Sequence, residues 1–201
     1  DLAGVALYAK GNYDGALDHY ARALLIQPRN MFVFLNTADA LEGKGEYEYA
    51  RKFYLQVIEN SVGETKVRAY LGLAKITLTW GRSSTLAEEY LEKGLEAAGH
   101  RDTKAEVLSL LSVIKTSKGD MEGARAYAEK AILASPESER GYLAMARALL
   151  ALGEREQAKN TLDKAFSLNA DGAFAYLHNG RQSESPFMVF MREYTKQRFN
   201  L

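Results

Sequence analysis

The chain contains no cysteine, so disulfides, thiolate metal sites and cysteine nucleophiles are all excluded. That leaves the redox compartment open. Proline occurs 3 times, which leaves long stretches free to be helical. No apolar run approaches the ~20 residues of a membrane-spanning helix, and no signal peptide is visible. Asp1 stands where an initiator Met would, so a fragment or a processed product is expected. An excess of charge is missing too: 26 Lys and Arg balance 26 Asp and Glu. Chains that neutralise many phosphates usually carry a basic surplus, so nucleic acid is not the expected partner. Neither a dinucleotide-binding nor a phosphate-cradling glycine motif occurs, and no serine sits in a nucleophile elbow. His19, His100 and His178 lie far apart, whereas metal ligands come at close helical or hairpin spacing. Glu88 and Glu89 are adjacent and therefore point ~100° apart on a helix. The expectation is a protein that is not an enzyme, with no cofactor and no metal.

What the chain does have is internal repetition. Gly11-Asn-Tyr-Asp-Gly-Ala16, Gly45-Glu-Tyr-Glu-Tyr-Ala50, Gly119-Asp-Met-Glu-Gly-Ala124 and Gly153-Glu-Arg-Glu-Gln-Ala158 share one pattern. Ala16 and Ala50 lie 34 residues apart, as do Ala124 and Ala158. A period of this length implies supersecondary units that bury their faces against one another. Within Met31–Gly43, Phe34, Leu35, Ala38 and Leu41 recur at helical spacing. Gly43-Lys44-Gly45 ends that helix, because glycine readily takes φ > 0. A second helix runs from about Tyr47 to Asn60, with Ala50, Phe53, Tyr54, Val57 and Ile58 on one side. Strand-like alternation is absent, so the expected class is all-α.

Ala50 to Ala87 and Ala87 to Ala124 are each 37 residues. The first surplus falls in Leu78–Ser84, in the turn or the first helix. The second falls in Gly99–Lys104, between units. The pattern thus divides residues 1–172 into five units: 1–30, 31–64, 65–104, 105–138 and 139–172. Residues 173–201 form a C-terminal capping region, with a short helix near Ala173–His178. A last helix begins at Ser185-Pro186, where serine is a cap and proline suits the first turn.

The units resemble the tetratricopeptide repeat. Leu71-Gly72 and Ala3-Gly4 stand at its Leu-Gly step, and Phe34 and Tyr142 at its opening aromatic. Ala16 with Tyr20 and Ala50 with Tyr54 form its Ala and aromatic pair. Pro28 and Pro136 close two units. Arg68 and Leu108 depart from the pattern where the opening aromatic belongs. The resemblance implies a right-handed α-solenoid of antiparallel helix pairs whose first helices line a concave groove. Carried over residue by residue, that groove comprises Val5, Tyr8, Phe32, Leu35, Asn36, Asp39, Lys66, Tyr70, Leu73, Leu110, Val113, Leu143 and Arg147. Asn36 stands where family members hydrogen-bond a ligand backbone. A largely apolar surface of this kind implies another protein as partner, bound as an extended peptide or an amphipathic helix. Members that clamp a chaperone's terminal carboxylate carry Lys and Asn, then Asn, then Lys and Arg. Here the matching places hold Asp1 and Val5, then Asn36, then Lys66 and Tyr70, so an Hsp70/Hsp90 co-chaperone is not expected.

The favoured reading is a non-catalytic interaction scaffold or adaptor. Its rivals are an oligomeric assembly or cell-envelope scaffold, and a regulatory module of a larger enzyme. A cytoplasmic setting is favoured over a periplasmic or envelope one. Trp80 is expected to plug the enlarged turn, with a contact role as the alternative. Phe187, Phe190, Met191 and Tyr194 form a capping stripe, and Arg192, Lys196 and Arg198 are expected to face water. Met188, Val189 and Phe199 lie off the stripe and leave room for a self-association patch, with homo-oligomerisation through the last helix, or for a partner site.

Overall fold

The computed structural model describes residues 2–179 and 185–199, with side chains left out for residues 175–179. Among the described residues there are twelve helices and no strands. They form two compact units, one up to Thr103 and one from Lys104 on.

The first unit contains α1 (Leu2–Ala9), α2 (Tyr13–Ile26), α3 (Met31–Lys44), α4 (Tyr47–Asn60), α5 (Gly63–Thr79) and α6 (Ser84–Ala97). Each helix packs on the next in the pairs α1·α2, α3·α4 and α5·α6, and α3 also meets α5. The repeated glycines set the breaks. Gly11 and Gly45 sit at φ 75 and 86°, a region costly for any residue with a β-carbon. Side-chain caps restart the helices. Asn12 accepts from the Gly15 amide at 3.0 Å, and Asn30 from the Phe32 amide at 3.1 Å. These bonds satisfy donors that the first turn leaves unpaired. The core gathers Leu35, Ala38, Ala50, Tyr54, Val57, Ala69, Leu73 and Ile76.

The first surplus lies largely in α5 itself, which has 17 residues against 14 in α3. Trp80 ends that helix and is 54% exposed, its ring 6.4 Å from that of Tyr47. It therefore lies against a neighbour without plugging an interior. The second surplus is not a linker. The helix α7 begins at Arg101, because nothing after Gly99 and His100 breaks a helix and Asp102 suits its first turn. Both Glu64 carboxylate oxygens are shielded from water with no hydrogen-bond partner. They sit in the first turn of α5, where the helix dipole favours negative charge.

The second unit holds most of α7 (Arg101–Ser117), then α8 (Met121–Ala134), α9 (Glu139–Ala151), α10 (Arg155–Leu168), α11 (Ala170–Asn179) and α12 (Pro186–Phe199). The Ser112 hydroxyl on α7 donates to the Ala124 carbonyl on α8 at 2.7 Å. Asp120 caps α8 by accepting from the Gly123 amide at 2.9 Å. The last helix adds Phe187, Met188, Phe190, Met191 and Tyr194 to a core with Leu143, Leu149, Leu162 and Phe166. Phe199 lies 5.4 Å from the Phe166 ring and 5.1 Å from that of Phe174. Met188 and Phe199, expected to be surplus, are thus already engaged within the unit. Met188 is 4% exposed within this core, and Phe199 keeps 36% of its surface exposed while touching the two rings. Arg198 and Lys196 are exposed as expected, while Arg192 is half-buried. Arg198 ion-pairs with Asp163, which accepts from the Tyr194 hydroxyl at 2.7 Å.

Candidate functional site

The face of unit one built from α1, α3 and α5 carries both exposed apolar groups and a polar cluster. On α1, Val5 and Tyr8 are exposed, at 43% and 38%. On α3, Phe32 is 64% exposed, and Asn36 and Asp39 are half-buried. On α5, Lys66 and Tyr70 are half-buried, with the Tyr70 ring 6.4 Å from Tyr90 of α6. Leu35 and Leu73 belong to the core, at 0% and 1% exposure, and offer no surface to a partner. The reason is that α3 and α5 touch one another directly, so one apolar stripe on each is consumed by packing.

The polar cluster is built by three helices. Asp39 and Glu42 are three residues apart on α3 and share a face. Tyr54 on α4 reaches both: its Oη lies 2.7 Å from Asp39 Oδ1 and 2.7 Å from Glu42 Oε2. Arg68 on α5 pairs with Asp39 at 3.1 Å. Burial pushes both carboxyls above their ordinary range, against the Tyr54 hydrogen bond and the nearby cations. The Tyr8 hydroxyl is also raised, by burial first and then by Asp39 and Glu42. Glu42, Tyr54 and Lys75 have no place in the sequence-based groove. Arg68 had a signal in the sequence: it occupies the position where the repeat expects an aromatic.

In unit two the expected residues separate further. Leu110 and Val113 on α7 are half-buried. Leu143 is 4% exposed within the core. The Arg147 guanidinium lies over the Phe187 ring of α12, 5.7 Å from its centre. The chain's own last helix therefore covers part of the surface assigned to a partner. A cleft of about 220 Å³ remains beside it, lined by residues that include Met121, Leu150, Pro186 and Phe187. Arg140 pairs with Glu106 at 2.6 Å across α9 and α7.

Among the described residues, no cluster of three or more His, Cys, Asp or Glu side chains could hold a metal ion. His19 is half-buried and His100 exposed. The side chain of His178 lies outside the described residues, as does Asp1. No described helix is long and apolar enough to cross a membrane.

Residues 1–30 and 115–181 each match the tetratricopeptide repeat family. A curated relative from Aspergillus fumigatus is 31% identical over 126 residues, which is 63% of this chain. That relative is the heat-shock protein cognate co-chaperone sgt12, and the chain spans about 35% of its length. Among solved structures, MamA is similar with a TM-score of 0.61 and 22% identity, over 85% of this chain and 96% of MamA. A chain of the Cut9–Hcn1 hetero-tetramer superposes with a TM-score of 0.71 and 18% identity, over 98% of this chain and 39% of that one. The all-helical architecture of adjacent helix pairs is the one these repeat proteins share.

Proposed function

We propose, from the premise that the chain belongs to the tetratricopeptide-repeat family, that the α1–α3–α5 face of unit one holds a segment of a partner protein. The family supports a protein-interaction scaffold in general, and the finer reading names the face and what it holds. The observation that carries it is the split along α3. Leu35 is fully buried while Phe32, one turn away, is 64% exposed. An aromatic side chain kept in water beside a well-packed core is what a docking surface offers. Val5 and Tyr8 on α1 extend the apolar area, and Asn36 and Lys66 supply polar contacts to a peptide backbone or side chain. The bound element is an extended peptide or one face of an amphipathic helix, and the scaffold performs no catalysis.

Clamping a terminal carboxylate is not part of this reading. Of the residues such a clamp needs, Asn36 and Lys66 are present, while Val5 and Tyr70 stand where a polar and a cationic group belong. A peptide ending in a free carboxylate should bind no better than its amidated twin.

The test is affinity capture of partners with the wild-type chain and with Val5→Ser, Tyr8→Ser and Phe32→Ser combined. The triple variant should keep its helical circular dichroism and lose the partners. Unchanged recovery from a folded variant would refute the assignment of this face.

A further inference from the structure

We propose that the Tyr54 hydroxyl and the Asp39 and Glu42 carboxyls share two protons, the second resting on Glu42, so that this cluster loses a hydrogen bond and gains a negative charge when that proton leaves. This inference goes beyond the binding role, and it holds with or without a partner on the face.

Proton counting carries it. A phenol has one proton to donate. Tyr54 Oη nevertheless lies 2.7 Å from one oxygen of each carboxyl. If both carboxyls were ionised, one of these short contacts would set a phenol lone pair against a carboxylate oxygen. The contact becomes a hydrogen bond only when that carboxyl donates, and a carboxyl donates only when protonated. Arg68 decides which one it is. Its guanidinium sits 3.1 Å from Asp39 Oδ2 and favours the ionised form of that group, a partner of a kind that Glu42 lacks in the hydrogen bonds acting on it. Tyr54 therefore donates to Asp39, and Glu42 donates to Tyr54.

The surroundings agree. Tyr8 of α1, Tyr20 of α2, Tyr54 of α4 and Arg68 and Lys75 of α5 are the titratable or charged groups acting on the two α3 carboxyls. The tyrosines are neutral, and burial and the two carboxyls raise Tyr54 further. Lys75 favours the ionised form of Glu42, but burial is the larger effect and keeps this carboxyl above the ordinary glutamate range. The Tyr54 ring is fully buried and fills the space above Gly72 of α5, which fixes it beside the two carboxyls. When the proton leaves for water, the Glu42 carboxylate must turn away from Tyr54, and the charge appears beside Tyr8.

A carboxyl whose folded pKa is raised stabilises the fold below its unfolded pKa, and that contribution is lost as pH rises through the folded pKa. The experiment is a carboxyl carbon-13 NMR titration of the full chain, paired with urea unfolding across the same pH range for the wild type and Glu42→Gln. A carboxamide keeps a donor toward Tyr54 and cannot titrate. Glu42 should titrate above the ordinary glutamate value of ~4.3, later than Asp39. The wild type should lose stability through that midpoint, and Glu42→Gln should remove that slope. A Glu42 midpoint at or below the ordinary value, a later midpoint on Asp39, or an unchanged slope in Glu42→Gln would each overturn the proposal. The wild-type titration decides the matter even if the variant does not fold.

Discussion

The ring of Tyr54 occupies the space that a β-carbon on Gly72 would need. The two helices α4 and α5 approach at this point because residue 72 has no side chain and residue 54 has a large one. Tyr54 is fully buried. Gly72→Ala gains about 1 kcal/mol of helix propensity but forces the ring or the helix to move, an overpacking cost of ~1–3 kcal/mol. A net loss in urea unfolding is expected. Gly45→Ala should be destabilising for a different reason: nothing crowds the site, but φ is 86°, and the left-handed backbone costs about 1 kcal/mol. Gly72→Ala should shift Tyr54 side-chain NMR signals, and Gly45→Ala should leave them in place. A Gly72→Ala protein as stable as the wild type would contradict the packing described.

Neighbours on α3 should separate stability from binding. Leu35→Ala opens a cavity in the first core and should cost ~2–5 kcal/mol. Phe32→Ala removes a ring that stands largely in water, so unfolding should change by less than ~0.5 kcal/mol. If the α1–α3–α5 face is a docking surface, Phe32→Ala should still weaken partner capture. Equal destabilisation by the two changes would mean that Phe32 is part of the core.

The C-terminal helix carries an alkaline signature. Burial pushes Tyr194 up to about 12. Its folded pKa thus lies above the ordinary tyrosine value of ~10. The associated stability is fully present below pH ~10 and is lost as pH rises towards about 12. Ultraviolet difference spectroscopy should find one late-titrating tyrosine in unit two that Tyr194→Phe abolishes. Unaltered late absorbance in Tyr194→Phe would refute the assignment.

Trp80 offers a fluorescence test. It is the single tryptophan of the chain and is 54% exposed beside Tyr47. Its emission should be that of a largely hydrated indole and readily quenched by iodide. Trp80→Ala should cost less than the ~3–5 kcal/mol of a core aromatic, since about half of its area stays in water on folding. Blue-shifted, quencher-resistant emission would mean the indole plugs an interior after all.

The period, the helix pairs and their stops were legible in the sequence, because each depends on local physics. Glycine at the end of a helix, asparagine or aspartate at its start and alanine at 34-residue intervals act within one or two turns of themselves. The start of α12 followed from Ser185-Pro186 in the same way. Local rules also misled: residues 101–104 read as a linker, yet they complete the first turn of α7.

Which residues of a first helix stay exposed was decided by tertiary structure alone. Periodicity marks an apolar residue without saying whether another helix or water will meet it, and so it treated Leu35, Leu73 and Leu143 like Phe32. Direct contact between α3 and α5 buried the first two, and the second core took Leu143. The cluster of Asp39, Glu42, Tyr54 and Arg68 joins three helices over 29 residues of chain, a separation no periodic pattern registers. The sequence by itself determined where helices begin, end and pair. Only the packing of those helices settled which side chains are buried and which stay exposed, because burial belongs to neighbours in space and not to neighbours in the chain.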